Sequence, residues 1–420
     1  MEEWKEYKVA EIVEEISMGP FGSNIKVDNF IDFGVPVLNG SNLQGFKLNE
    51  NSFNYVSKEK ADSLGKANAY RGDVVITHRG TLGQIIYIPS DSKFERYVIS
   101  QSQFRLRLKQ DIVRPDFFVY FFHTKEGQHR ILMNASQVGV PALARPTSTF
   151  KNVSIYLPKL DVQNSIMDVL LALDNRIEVN KRINDNLQQQ AQALYKSWFV
   201  DFEPFKDGEF IESELGMIPK GWKVVDAEEI FEINIGKTPP RKEHNWFTTN
   251  NKDEVWVSIA DMGSCGVFIS DSSEYLTAEA IKRFNIQMVE KDSVLLSFKL
   301  TVGRVAIAST RLTTNEAIAR FILPRVYYRE FLYLLLKQYK YENLGSTSSI
   351  ATAVNSKTIK GMRLLVPSDS IIKSFSNLVK PLFDSIESSS KESRRLAQLR
   401  DTLLPRLMSG EININEIRVG

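Results

Sequence analysis

The sequence predicts an α+β chain in which two similar mixed α/β domains are separated by two long helices, as an internal tandem repeat. Apolar residues recur three or four apart over residues 161–200, which is typical of one long amphipathic helix. The same stripe returns 209 residues later, and the segments before the two stripes match each other at apolar positions and glycines. A repeat of this length indicates duplication of a whole domain and its helix, because solenoid repeats are much shorter.

Composition sets the limits of what the chain can be. It has 420 residues, of which 43% are hydrophobic, so it is long enough for two or three domains with real cores. The net charge is +2, so any affinity for nucleic acid must come from local patches. Cys265 is the single cysteine, which excludes a disulfide within the chain and fits a reducing compartment. The polar N-terminus and the lack of long apolar runs predict a soluble cytoplasmic protein that makes no membrane contact.

The first mixed domain is assigned to residues 1–158. Residues 73–77 and 84–88 are β-branched runs around a polar, glycine-containing turn, which predicts a hairpin. Residues 104–108 read as another strand, and residues 116–132 carry apolar residues at helical spacing. A last strand at 153–157 ends before Pro158.

The central long helix is assigned to residues 159–203, with Asp161 as the expected N-cap and Pro204 unable to continue it. At about 1.5 Å per residue it would be roughly 60 Å long. A polar linker is expected at 204–220, and the second domain at 221–367. A C-terminal long helix at 368–412 and a tail at 413–420 follow.

The two helical stripes are expected to pack on each other. Asn180 and Asn184, with Ser389 and Ser393 as their counterparts, interrupt the apolar seam; they either set the register of the helices or are exposed. The stripe residues include Ile166, Leu173, Ile177, Ile183, Leu187, Leu194 and Trp198 in the first helix, and Phe375, Leu378, Leu382, Ile386, Leu396, Leu403 and Leu407 in the second.

The sequence contains no set of residues that predicts catalysis. None of the four histidines stands in a metal-ligand spacing with another histidine or the cysteine. The GKTPPR segment at 236–241 resembles part of a phosphate loop, but Phe231 stands where the upstream glycine would be. A glycine-rich turn for a methyl donor, an amino-methylation tetrapeptide and a nuclease set are also missing. The prediction is therefore no catalytic residue, no metal and no cofactor bound by this chain.

Polar loops in matching places of both domains are the candidate binding sites. Residues 17–26 and 234–242 follow the first helical segment of each domain, and the hairpin turns and late loops also correspond. Solvated turns are the alternative for any single loop, but three matched loops favour binding to phosphates and base edges. The candidate DNA-binding residues are Ser23, Asn24, Lys26, His78, Arg79 and Arg145 in the first domain, and Lys237, Thr238, Arg241, Lys299, Arg304 and Ser349 in the second.

Several of these segments resemble one known family. SWFVDFEPF at 197–205, ELGMIPKGW at 214–222 and LLPRLMSGEI at 403–412 are similar to the specificity subunit of type I restriction–modification enzymes. The GPFGSN and GKTPPR loops and the LPKLDVQNSI start of the first long helix resemble it as well. One departure is that the start of the second long helix lacks a glutamine equivalent to Gln163, which weakens the equivalence of the two helix starts but not the resemblance.

This resemblance implies a function. Each mixed domain would be a target recognition domain that binds one half of a bipartite, asymmetric sequence in double-stranded DNA. The two long helices would form an antiparallel coiled coil that sets the gap between the halves. Two modification subunits holding S-adenosylmethionine would methylate adenine, and two restriction subunits would use ATP and Mg²⁺ to translocate and cleave DNA. The alternatives are a stand-alone DNA methyltransferase or nuclease with a divergent site, and a coiled-coil adaptor with two ligand-binding domains.

Overall fold

The computed structural model describes residues 4–20, 22–133, 135–136, 139–344 and 354–414. The chain divides into two compact units, one made of residues 1–176 and 395–420 and the other of residues 177–394. Each unit holds one mixed domain together with part of both long helices. The division between the units therefore falls inside the two helices.

The first unit is built from two larger sheets, short strand pairs and short helices. Its strands are β1 (Lys5–Lys8), β2 (Val13–Met18), β3 (Phe30–Ile31), β4 (Val35–Val37), β5 (Asn54–Val56), β6 (Asn68–Tyr70), β7 (Val74–Thr77), β8 (Ile85–Tyr87), β9 (Arg96–Val98), β10 (Gln103–Leu108), β11 (Ala135–Ser136), β12 (Ala142–Leu143) and β13 (Ser154–Leu157). Its helices are α1 (Val9–Ile12), α2 (Lys58–Ser63), α3 (Pro115–Phe122), α4 (Lys125–Leu132), α5 (Pro146–Lys151) and the start of α6 (Leu160–Phe199).

Strand β7 lies between two cores of this unit. The antiparallel sheet has the order β2-β10-β7-β8, and a second sheet has the order β3-β5-β4-β9-β6 with β4 and β9 parallel. Val74 and Ile76 belong to the core that includes α3 and α6, whereas Val75 belongs to a separate core beneath the other face. A strand covered on both faces needs an unbroken apolar run, which explains the VVI sequence. The short pair β1–β13 brings the two ends of the domain together.

The predicted hairpin is confirmed, because β7 and β8 pair antiparallel. Two further local predictions differ from the structure in detail. The helical pattern at 116–132 is two helices, since the Thr124 hydroxyl accepts the backbone N–H of Gly127 over 3.0 Å and starts a new helix there. The long helix begins at Leu160, so Asp161 lies in its first turn and accepts the N–H of the next residue.

The second unit repeats this plan. Its strands are β14 (Phe210–Ser213), β15 (Gly216–Pro219), β16 (Lys223–Asp226), β17 (Glu232–Ile235), β18 (Phe247–Thr248), β19 (Glu254–Val257), β20 (Phe268–Ile269), β21 (Tyr275–Leu276), β22 (Val294–Ser297), β23 (Val305–Ala308), β24 (Thr313–Thr314), β25 (Ile318–Ile322) and β26 (Arg363–Val366). Its helices are α7 (Ala227–Ile230), α8 (Ile259–Ser264), α9 (Ala278–Arg283), α10 (Arg329–Gln338), α11 (Ser356–Lys360) and most of α12 (Asp369–Met408).

The sheets of the two units correspond strand by strand. The order β17-β25-β22-β23 matches β2-β10-β7-β8, with β20 added at the end next to β23. The pair β16–β26 matches β1–β13, and the parallel pair β19–β24 matches β4–β9. The predicted tandem repeat of mixed domains is therefore confirmed.

Residues 204–220 are not the polar linker expected from sequence. They include the hairpin β14–β15, and Ile218 is buried in the core of the second unit. The ring of Phe205 lies 5.1 Å from that of Trp222, centroid to centroid. These apolar contacts fold the segment onto the domain that follows it.

Helices α6 and α12 run antiparallel within each unit. In the first unit Asp174 pairs with Arg400. In the second, Asn180 contacts Glu392 while the ring of Phe199 lies 4.8 Å from that of Phe375.

Most stripe residues lie on the packed side of these helices. Ile183 and Leu378 do not, being 42% and 46% exposed; Asn180, Ala191 and Tyr195 are buried instead. The fully buried predicted residues are Ile166, Phe375, Ile386 and Leu407; those partly buried against a core are Leu187, Leu194, Trp198, Leu382 and Leu403; Leu173, Ile177 and Leu396 are half-buried. In the described parts of the chain, no helix is long and apolar enough to cross a bilayer.

Candidate nucleic-acid interface

One edge of the antiparallel sheet in each unit gathers the predicted loops. In the first unit the ends of β2 and β7 meet the starts of β10 and β8 there, because neighbouring strands are antiparallel. In the second unit the ends of β17 and β22 meet the starts of β25 and β23 in the same way. The loops that the repeat aligned in sequence therefore occupy the same edge of the fold.

A glycine fixes the first loop against this edge in both units. A β-carbon on Gly19 would lie 1.9 Å from the carbonyl oxygen of Ser100, and one on Gly236 would lie 2.0 Å from that of Asn315. No other residue type fits such a close approach to a neighbouring backbone. The same close approach thus explains why segments 17–26 and 234–242 both have a glycine at this position.

His78 joins the loops of the first unit. Its backbone N–H donates to Ser102 over 2.8 Å, and its Nε2 lies 3.1 Å from the carbonyl oxygen of Gln101. Its own carbonyl accepts the N–H of Leu143 from the late loop over 2.8 Å. Burial lowers the pKa of the half-buried ring, so His78 is neutral at pH 7 and serves mainly as a structural link.

The exposed cations at this edge are available to a ligand. Lys26, Arg79 and Arg145 are exposed, and within the described residues none of them forms an ion pair. Asn24 is exposed in the same loop as Lys26. Arg145 has a left-handed backbone (φ 47°) at the start of α5, where its carbonyl accepts the N–H of Thr149. Cations presented in this way can contact phosphates without first losing an internal partner.

Polar side chains of the corresponding loop in the second unit already have partners within the unit. Arg241 forms a bidentate pair with Glu274, at 2.7 and 2.8 Å, and its guanidinium lies 4.0 Å from the centroid of Phe247. Lys237 donates through Nζ to the carbonyls that follow α9, and the Thr238 hydroxyl donates to Glu316. The guanidinium of this loop is therefore ion-paired, whereas the ammonium of Lys237 is held only by neutral carbonyls.

The hairpin turn of the second unit has two different kinds of residue. Arg304 donates to the carbonyl of Ile259 over 2.6 Å and packs against α8, which is a structural role. Lys299 is exposed, and Leu300 beside it is 99% exposed with φ 60°. The equivalent position in the first unit is Gly80 with φ 90°, so glycine there satisfies the same turn without strain.

Two predicted residues cannot be placed in this site. The side chain of Ser23 and the whole of Ser349 lie outside the described residues. The structure adds Gln101, Glu274 and Glu316, which the sequence analysis did not select. Gln101 and Glu316 lie in the matched segments that precede β10 and β25, where their polar side chains are the signal that could have revealed them.

The described residues contain no group of three or more histidine, cysteine, aspartate or glutamate side chains placed to hold a metal. Burial raises the pKa of the Cys265 thiol to about 11, so it is protonated at neutral pH and is a poor nucleophile.

The chain is similar in sequence to proteins of one family. The family model described as type I restriction modification DNA specificity domain matches residues 1–189 and again residues 219–397. The HindI specificity subunit of Haemophilus influenzae is 27% identical over 480 residues, covering 98% of this chain and all of that protein. The MjaIX specificity subunit of Methanocaldococcus jannaschii is 28% identical, covering 83% of this chain and 79% of that protein.

A solved structure has the same fold. The S subunit of a type I restriction–modification system from M. genitalium superposes with a TM-score of 0.57 and 16% identity, over 97% of this chain and 96% of that one. Neither a stand-alone enzyme nor a general adaptor is favoured by these matches. The chain belongs to the type I restriction–modification DNA specificity family, as a non-catalytic specificity subunit.

Proposed function

We propose that each unit reads one half of a bipartite, asymmetric sequence in double-stranded DNA through the loop edge of its antiparallel sheet. The observation that carries this proposal is the repeated edge itself. The frame is the same in both units, down to Gly19 and Gly236, whereas the polar residues on it differ. Equal frames with unequal polar loops suit two readers of two different half-sites.

The two edges would contribute differently to binding. Lys26, Arg79 and Arg145 of the first unit have no internal ion pair in the described chain, so they would supply phosphate contacts that depend on salt. In the second unit Glu274 and Glu316 can accept hydrogen bonds from a cytosine amino group. One good bidentate contact to a base gives about 1–3 kcal/mol of discrimination.

The long helices would set the distance between the two half-sites. Helix α6 has 40 residues, which corresponds to about 60 Å at 1.5 Å per residue. One turn of DNA is about 34–36 Å, so a helix of this length suits half-sites more than one turn apart.

The chain would work in a complex. We infer that the helices and the flanks of the domains bind two modification subunits, which use S-adenosylmethionine to methylate adenine. Two restriction subunits would add ATP- and Mg²⁺-dependent translocation and cleavage. This chain would supply the DNA sequence preference and bind no cofactor itself.

A domain exchange tests the proposal. Residues 1–158 are replaced by the equivalent segment of the Haemophilus influenzae relative, and the chimera is expressed with the modification subunits. Sequencing of methylated adenines should show that one half of the target has changed while the other half and the gap have not. A change in both halves, or in neither, would contradict the two-reader proposal.

A further inference from the structure

Arg320 is a buried cation to which the described residues supply no counter-ion. Its side chain lies in the middle of β25 and is only 5% exposed. Its two terminal nitrogens donate to the carbonyls of Gln287 (2.8 Å) and Ile235 (3.1 Å), both of which are neutral. Its Nε is buried without an acceptor, and no described carboxylate lies within ion-pair distance. A buried guanidinium is normally compensated by a nearby negative charge.

The equivalent arginine in the first unit has that compensation. Arg105 lies opposite Ser17 and Val75, just as Arg320 lies opposite Asn234 and Leu295. It pairs with Asp73 at 3.2 Å and with Glu15 at 2.9 Å. The same position of the repeated sheet therefore holds a paired arginine in one unit and an unpaired one in the other.

One substitution and one change of hydrogen-bond partner between the repeats explain the difference. Asp73 immediately precedes β7, and the residue that precedes β22 is Ser293, which carries no charge. The residue equivalent to Glu15 is Glu232, and it accepts a hydrogen bond from Asn234 over 2.9 Å instead of pairing with Arg320. The second unit thus has no carboxylate at the position of Asp73, and its carboxylate at the position of Glu15 bonds to Asn234 rather than to Arg320.

A cavity of about 190 Å³ adjoins Arg320. It is lined by Asn234, Ile235, Lys237, Gln287 and Arg320, so it brings two cations and two side-chain amides together. Its volume is several times the roughly 30 Å³ that one water occupies in the liquid. We propose that this cavity binds an oxyanion, a phosphate group, which supplies the negative charge that Arg320 lacks.

The oxyanion site is tested on the full-length chain without DNA. Thermal unfolding is followed in sodium phosphate and in sodium chloride of equal ionic strength. Phosphate should raise the unfolding midpoint of the unaltered protein by about 2–4 °C, which is a resolvable shift for a domain of this size. Arg320→Met removes the charge and keeps most of the volume, and it should abolish that rise.

A second variant keeps the proposal testable if Arg320→Met fails to fold. Ser293→Asp restores the carboxylate that the first unit has at Asp73, so it should raise the midpoint in chloride and abolish the response to phosphate. No rise in the unaltered protein, or an equal rise in both variants, would overturn the site. Neither result would bear on the proposed function, because no DNA is present.

The source of the phosphate group is decided separately, and this step rests on the proposed function. If a DNA backbone phosphate occupies the cavity, Arg320→Met should reduce the slope of log affinity against log salt by about 1, and free phosphate should compete with duplex DNA. If DNA affinity and its salt slope are unchanged while phosphate still stabilises the protein, the cavity binds free phosphate. Both results support an oxyanion site.

Discussion

Asn180 of α6 donates a hydrogen bond to Glu392 of α12 over 2.8 Å, although Asn180 is only 1% exposed. Its amide also lies 3.2 Å from the hydroxyl of Ser393, and one turn later Asn184 donates to Ser390 at the same distance. Sliding one helix along the other would leave these buried polar groups without partners, so they specify one register. The exposed alternative for Asn180 is therefore excluded.

Removing this amide should destabilise the second unit. Asn180→Ala leaves the partners of the amide without a donor, and a loss of about 1–3 kcal/mol in the free energy of unfolding is expected. Urea denaturation followed by circular dichroism measures it. Asn186→Ala is the matched control, since Asn186 is exposed and its partner among the described residues is Gln190 on its own helix. Equal losses of unfolding free energy in both variants would show that the contacts of Asn180 have no special role in stability.

The start of the first long helix supports a second prediction. Gln163 is fully buried; it accepts the N–H of Arg114 and donates to the carbonyls of Ile112 and Pro158. Its counterpart Ile372 is buried in the apolar core, and there Tyr327 and Tyr328 bond to Asp369 instead. The starts of α6 and α12 are therefore held by different contacts.

Gln163→Leu should thus destabilise the first unit by about 1–3 kcal/mol or more, because three backbone groups lose their partner. Chemical denaturation of the purified chain measures the loss. Asn164→Ala, which removes one exposed contact with Arg114, should change stability by much less. A leucine variant as stable as the unaltered protein would show that water satisfies those backbone groups.

Local patterns predicted the elements of this fold better than the roles of its polar residues. The β-branched run at residues 73–77 predicted β7, because residues that are adjacent in the sequence are enough to indicate a strand. The role of Arg304 could not be predicted, since it depends on the carbonyl of Ile259, which is 45 residues away. The sequence also could not decide whether Asn180 sets the helix register or is exposed, because its partner Glu392 is 212 residues away.

The free cations of the first edge predict a salt-dependent contribution to DNA binding. Arg79→Ala should weaken binding to duplex DNA of any sequence and reduce the slope of log affinity against log salt by about 1. Fluorescence anisotropy across a salt series measures both quantities. Arg96→Ala is the control, because Arg96 is already paired with Asp62 at 2.5 Å. Loss of affinity with an unchanged slope would indicate that Arg79 does not contact phosphate.

A substitution at Leu300 can separate an effect on DNA binding from an effect on stability most sharply. A leucine at φ 60° costs about 1–2 kcal/mol relative to the right-handed region, and at 99% exposure it gains no compensating burial. Because Gly80 serves the same turn in the first unit, Leu300→Gly should leave stability unchanged or raise it. If Leu300 contacts a thymine methyl group or a base step, the same variant should lose affinity for the second half-site. Unfolding and anisotropy measured together test this, and a glycine variant that binds DNA normally would show that the exposed leucine takes no part in recognition.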